Sequence, residues 1–189
     1  MKTTREVSHY YSEVLKKTED LSTNACTTSA RPPKHIIDCI SRIDPAVNNK
    51  YYGCGLCIPE GIEGCTVLDL GCGSGRDVFI ASQLVGPTGH VFGVDMTTEQ
   101  INTAIAGQKF NKVTNNLQNT TFRTGYIEKL NTLNVPPQSV DVVISNCVIN
   151  LSPDKLAVLQ GAYDLLKEGG ELYFSDVYSD RRVPEELRR

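Results

Sequence analysis

The chain has 189 residues, 40% hydrophobic and 22% charged, with a net charge of −3. That is enough for one domain with a sizeable core. It offers nucleic acid no strongly basic face and contains no apolar run long enough to span a membrane.

The opening residues, Met-Lys-Thr-Thr-Arg-Glu, lack the apolar stretch of a secretory signal, so a cytosolic protein is expected. Seven cysteines is a high and odd count. In a reducing compartment it points to thiol chemistry or soft-metal binding, with burial as a small hydrophobe the alternative for any one of them.

Thr4 to Lys17 reads as a helix, because Val7, Tyr10, Tyr11, Val14 and Leu15 recur on one face. The next stretch, to Pro33, is small, polar and proline-bearing, which places Cys26 on a mobile loop. A second helix is expected from Pro33 to Ile43, and Asp44-Pro45 opens a short third one. Gly53 and Gly55 flank Cys54 and put it on another loop. Cys54 and Cys57 form a Cys-x-x-Cys pair, a spacing found in redox motifs and zinc sites. A structural zinc site takes two tight pairs, whereas Cys65 stands apart and Cys72 lies inside a glycine loop, so zinc is the weaker reading.

The centre of the chain is Val-Leu-Asp-Leu-Gly-Cys-Gly-Ser-Gly-Arg, residues 67–76. A compact apolar run reads as a buried parallel strand. The glycines that follow let backbone approach a ligand, and a helix start aims its amide groups there. Gly71, Gly73 and Gly75 are spaced Gly-x-Gly-x-Gly, and Arg76 occupies the place of the third glycine in a dinucleotide fingerprint. Asp69, just before the loop, suits a ligand with a cationic group better than a pyrophosphate.

A helix then runs from Asp77 to Leu84, and a second strand from His90 ends at Asp95, where an acid serves ribose hydroxyls. Thr97 or Thr98 caps a helix carrying Ile101, Ala104, Ile105 and Phe110. Thr121–Thr124 and Val140–Ser145 read as the third and fourth strands, with Asn146 and Cys147 at the end of the fourth. Ser152-Pro153-Asp154 opens a helix through Lys167, with Leu156, Leu159, Ala162, Tyr163, Leu165 and Leu166 on its apolar side. Glu171–Val177 is the fifth strand.

Alternating strands and helices imply a doubly wound α/β domain whose ligands bind at the carboxyl ends of the strands. Two parts are expected: an N-terminal helical and loop segment over residues 1–60, and the cofactor-binding domain over 61–189. His9, His35 and His90 have no clustered partners and receive no role.

The glycine loop with its preceding acid resembles the first motif of class I S-adenosylmethionine-dependent methyltransferases, whose fold is Rossmann-like. Four further stretches narrow the resemblance: Thr23–Thr28 around Cys26, Tyr51–Gly55 around Cys54, Gly125–Leu130, and Ser145–Leu151 around Cys147. Taken in order, they resemble the arsenite methyltransferases over nearly the whole chain. The resemblance implies S-adenosyl-L-methionine as cofactor and arsenite or methylarsenite as substrate. It implies As(III) held by Cys26, Cys54 and Cys147, with Cys147 beside the methyl group.

It also implies that Asp69, Gly71, Gly73 and Gly75 face the methionine end, that Asp95 binds ribose and that Met96 packs on adenine. Ile127 and Glu128 flank the adenine, and Asn146 and Tyr52 lie near the methionine part. Cys26 and Cys54 pair as a disulfide during turnover, reduced by thioredoxin or glutathione; no nucleic acid or membrane partner is expected, and a monomer is. Cys39, Cys57, Cys65 and Cys72 fall outside the pattern and read as packing thiols. The family normally continues past the fifth strand and carries a further functional cysteine there, so a truncated form is expected. The rival readings are a methyltransferase of another small molecule and a non-catalytic arsenic- or cofactor-binding form.

Overall fold

A computed structural model of the chain describes residues 7, 32–51, 53, 55–182 and 184. Cys26, Tyr52 and Cys54 lie outside the described residues. Of the first expected helix only Val7 is described; it is helical and buried.

In chain order the elements are α1 (Lys34–Ser41), α2 (Pro45–Asn48), β1 (Thr66–Leu70), α3 (Arg76–Val85), β2 (His90–Asp95), α4 (Thr98–Asn115), β3 (Thr120–Thr124), β4 (Val140–Asn146), α5 (Lys155–Leu165) and β5 (Leu166–Ser175). Short 3-10 turns span Ile127–Thr132 and Ile149–Leu151. The five strands form one sheet in the order β3-β2-β1-β4-β5, and every pairing is parallel. The chain winds outward from β1 to β3, then returns to lay β4 on the other side of β1. That reversal opens a crevice at the carboxyl ends of β1 and β4, the place where such sheets take ligands.

Both faces of the central strands are covered, which is why they read as continuous apolar runs. Val67 packs with Ile36, Val47, Phe79 and Ile144 on one face of the sheet. Leu68 and Leu70 pack with Val94, Leu130, Val158 and Leu165 on the other. Asp69 falls between them in the alternation and shares the face of Val67. Burying a side chain such as Phe79, 1% exposed, contributes about 1.5–3 kcal/mol. A buried polar knot fastens α3 to the start of β3. Ser82 Oγ donates to Asn119 Oδ1 at 2.6 Å, and Asn119 Nδ2 donates to the carbonyls of Ser82 and Gly86.

Several expectations need correction. Thr97 is the N-cap of α4 but makes no side-chain cap; its backbone N–H is instead taken by Asp95 Oδ1 at 2.8 Å. Ile105 of that helix is exposed. The last helix begins at Lys155, with Asp154 Oδ1 accepting from the Ala157 N–H at 3.0 Å, and it ends at Leu165 rather than Lys167. Its inward stripe is Val158, Ala162 and Leu165, while Leu156, Leu159 and Tyr163 are exposed. Apolar residues occupy two faces of this helix, so periodicity alone could not choose the buried one. Leu166 already pairs with Val140, and regular pairing resumes only at Val142 with Glu171. The strand ends at Ser175, short of the expected Val177. Among the described residues, no helix is long and apolar enough to cross a membrane.

Candidate functional site

The loop between β1 and α3 is pinned by backbone. The N–H groups of Gly71 and Cys72 both donate to the Val94 carbonyl, at 2.8 and 2.9 Å. Gly71 and Gly75 sit at φ of +75° and +90°, a region in which side chains are strained. Space also demands glycine at both. A β-carbon at Gly71 would lie 2.5 Å from Val148, and one at Gly75 would lie 2.9 Å from the Phe122 ring. A β-carbon at Gly73 would meet nothing within 4 Å, so that stretch of backbone faces open space.

That space is a pocket lined by Asp69, Gly71, Gly73, Asp77, Asp95, Met96, Ile127, Glu128, Asn146 and Cys147. Val7 also borders it. Residues scattered over the sequence thus meet at the carboxyl ends of β1, β2 and β4. Gly75 lines no part of the pocket; its place is in packing behind the loop.

Asp95 braces the floor. Its Oδ2 accepts from the Gly73 N–H at 3.0 Å while Oδ1 holds Thr97. Burial raises its pKa, and the hydrogen bonds from Thr97 and Gly73 pull it back. Asp69, 3% exposed, has its pKa raised well above the usual carboxylate range by burial, then by the charges of Asp77 and Asp95. A pocket lined by four carboxyl groups, Asp69, Asp77, Asp95 and Glu128, favours a ligand that brings positive charge.

At the end of β4, Asn146 Nδ2 lies within reach of the Gly55 carbonyl (2.6 Å), Tyr51 Oη (2.8 Å) and Asp77 Oδ2 (3.0 Å). It has two hydrogens for three acceptors and shares them. Tyr51 Oη donates to the Gly55 carbonyl at 2.7 Å, and the Arg76 guanidinium lies over its ring, 3.7 Å from the centroid. The residue that replaces a fingerprint glycine therefore makes a cation–π contact with a second residue of the pocket lining. Tyr51 lines the pocket, whereas the sequence reading singled out its neighbour Tyr52.

Cys147 follows at φ +58°, which for a non-glycine residue costs about 1–3 kcal/mol. Its N–H donates to the Ser175 carbonyl at 2.7 Å, which helps hold the turn. Cys147 is disulfide-bonded, and Cys39, Cys57, Cys65 and Cys72 are free thiols. Cys57 and Cys72 are buried. Burial, then Asp77 and Asp69, push the Cys57 thiol up to about 12; burial, then Asp69 and Asp95, also raise Cys72 well above its ordinary value. Neither offers a ready thiolate, which fits packing. Among the described residues, no group of three or more His, Cys, Asp and Glu side chains is arranged to hold a metal ion.

On the far wall, Ser152 Oγ donates to Glu128 Oε1 at 2.6 Å and ties the segment after β4 to the 3-10 turn. Sequence reasoning did not single out Ser152, Tyr51 or Asp77. Only Asp77 left a signal, as an acid in the first turn of a helix.

A family profile described as "Methyltransferase domain" matches residues 62–189. Over 187 residues the chain is 52% identical to an arsenite methyltransferase of Homo sapiens, covering 97% of this chain and 50% of that protein. It is 51% identical over 183 residues to an arsenite methyltransferase of Aquipseudomonas alcaligenes, covering 97% and 53%. The crystal structure of CrArsM, an arsenic (III) S-adenosylmethionine methyltransferase from Chlamydomonas reinhardtii, superposes with a TM-score of 0.81 at 48% identity. That match covers 84% of this chain and 54% of the other. The chain spans about half the length of the curated relatives it matches.

Proposed function

The chain belongs to the methyltransferase-domain family, on the class I methyltransferase fold, and on that premise we propose that it binds S-adenosylmethionine in this pocket and methylates trivalent arsenic held by cysteine sulfur. The observation that carries the reading is that Cys147 borders the same pocket as Asp69, Gly73 and Asp95. The donor set fits the cofactor: buried acids for its cationic end, and open backbone at Gly73 for close approach.

Asp95 receives the ribose hydroxyls with the lone pairs that Gly73 and Thr97 leave over. Met96 and Ile127 pack against the adenine, with Glu128 at its edge. Asp69 and the glycine loop face the methionine end, with Asn146 and Tyr52 beside it. When bound, the cofactor supplies a methyl group on a sulfonium that departs as a neutral thioether.

Cys147, with Cys26 and Cys54, holds the arsenic, because a soft centre prefers thiolate sulfur. Three sulfur ligands leave its lone pair directed at the methyl. No general base is required, so the protein contributes positioning, worth about 7–11 kcal/mol when geometry is right. A disulfide at Cys147 must be reduced before that thiolate can bind arsenic, which assigns a role to a thiol reductant, thioredoxin or glutathione. We place the protein in the cytosol, as a monomer, with residues 1–60 as the arsenic-presenting segment and 61–189 as the cofactor-binding domain.

The test is incubation with arsenite, a thiol and methyl-labelled S-adenosylmethionine, followed by separation of the arsenic species. Label in methylarsenicals is expected; its absence rejects the catalytic reading. One alternative is a chain that binds cofactor and arsenite without turnover. Binding of both by calorimetry with no labelled product would establish it.

A further inference from the structure

Asp77 is 7% exposed and lines the pocket. Its Oδ2 is engaged by Asn146 at 3.0 Å, but its Oδ1 is buried with no hydrogen-bond partner. Among the described residues the ion pairs are Lys34–Asp38, Lys167–Asp141 and Arg181–Asp180, so no cation is paired with it. The nearby guanidinium of Arg76 is committed to the Tyr51 ring. Burial raises the pKa of Asp77, while Asn146 and Arg76 draw it down. A buried carboxylate oxygen left unmatched requires a partner, and the residue that carries it lines the ligand pocket. Asp77 is also the second residue of α3, where the helix dipole favours negative charge.

From this geometry we infer that Asp77 is a binding residue for the positively charged methionine end of the cofactor, with Oδ1 as its contact atom. The inference rests on the cofactor reading above. Two groups carry that charge, the α-ammonium and the sulfonium. They differ in one way that matters: the demethylated product keeps the ammonium and loses the sulfonium charge. If Oδ1 faces the sulfonium, Asp77 makes the site prefer substrate over product and so hastens product release. If it faces the ammonium, it holds both equally.

The experiment compares the parent and Asp77→Asn by calorimetry with S-adenosylmethionine, S-adenosylhomocysteine and 5′-methylthioadenosine, which lacks the amino-acid end. Asparagine keeps the size of the side chain and can still face Asn146. S-adenosylmethionine affinity is expected to fall about tenfold or more, the scale of a charge-assisted hydrogen bond, with methylthioadenosine unchanged. A matching fall for S-adenosylhomocysteine assigns the ammonium; an unchanged affinity assigns the sulfonium. The ligand-free variant is expected to melt at or above the parent temperature, since an ionised buried group is removed. A loss of S-adenosylmethionine affinity below twofold overturns the inference. So does an equal loss for methylthioadenosine, or a clearly lower melting temperature, either of which makes Asp77 structural. A parent that binds none of the three overturns the cofactor reading, and this inference with it.

Discussion

On the β1–β2 side of the pocket the floor is fastened through loop backbone N–H groups: those of Gly71 and Cys72 to the Val94 carbonyl, and that of Gly73 to the Asp95 carboxylate. On the β4 side it depends on side chains and one strained residue. Asn146 shares two hydrogens among three acceptors, and Cys147 sits at positive φ beside the edge strand. The first side is built from strands buried on both faces. The second adjoins β5, whose Tyr173 and Phe174 are exposed. A bound cofactor needs a fixed cradle, so rigidity belongs on the first side. On the proposed reading, the thiol that takes arsenic stands on the second. Substitutions on the two sides should therefore fail differently, the first in affinity and stability, the second in chemistry.

The sharpest separation is expected from Cys147→Ser. Arsenic methylation should drop by at least about a hundredfold, the cost of losing a positioned reactant, with cofactor affinity within twofold. Product analysis and calorimetry on the same preparation check it; a variant that methylates at the parent rate would move the chemistry elsewhere.

Next in size is the glycine cradle. Gly75→Ala forces a β-carbon against Phe122 at φ +90° and is expected to cost about 2–4 kcal/mol, from backbone strain and overpacking together. Denaturant melts measure it, and a loss under 0.5 kcal/mol would show the loop to be softer than its hydrogen bonds imply. Asp95→Ala should weaken S-adenosylmethionine about tenfold or more through lost hydrogen bonds to a carboxylate. Unchanged affinity would remove Asp95 from the ribose site.

A smaller effect has the opposite sign. The folded-state pKa of Asp69 lies above the ordinary 3.8 because of burial. A raised carboxylate costs nothing at pH values where both states are protonated. It destabilises the fold increasingly as pH climbs from about 4 through the folded pKa. Ligand-free Asp69→Asn should therefore melt higher than the parent, and by more at pH 8 than at pH 4. For a domain of this size each kcal/mol relieved is about 2–4 °C. An equal difference at both pH values would mean that the buried charge is not the cause. Smallest of all, Tyr163→Lys on the exposed face of α5 should change stability by no more than about 0.5 kcal/mol. A larger loss would show that this face is packed in solution.

The strands were the most legible part of the sequence, since burial on both faces writes β1 and β4 as apolar runs. The glycine loop was legible for the same kind of reason: positive φ and close contact leave few residues to choose from. Asp69, Asp95 and Asn146 could be placed at strand ends from order alone. Tyr51, Asp77 and Ser152 could not. Tyr51 and Asp77 meet through Asn146, which is 95 and 69 positions away from them, and Ser152 is bound to a residue 24 positions away. The inward face of α5 was illegible too, because two of its faces are apolar.

Composition and local pattern alone determined a parallel α/β chain with a glycine cradle and an acid on either side of it, because backbone sterics and hydrophobic periodicity act over a few residues. Only the tertiary structure decided which acid would be left with an unmatched oxygen. It also decided that Cys147 would take a left-handed turn at the rim. Both depend on which side chains the crossover from β3 to β4 brings together, and that is settled by packing across the sheet rather than by neighbours in the chain.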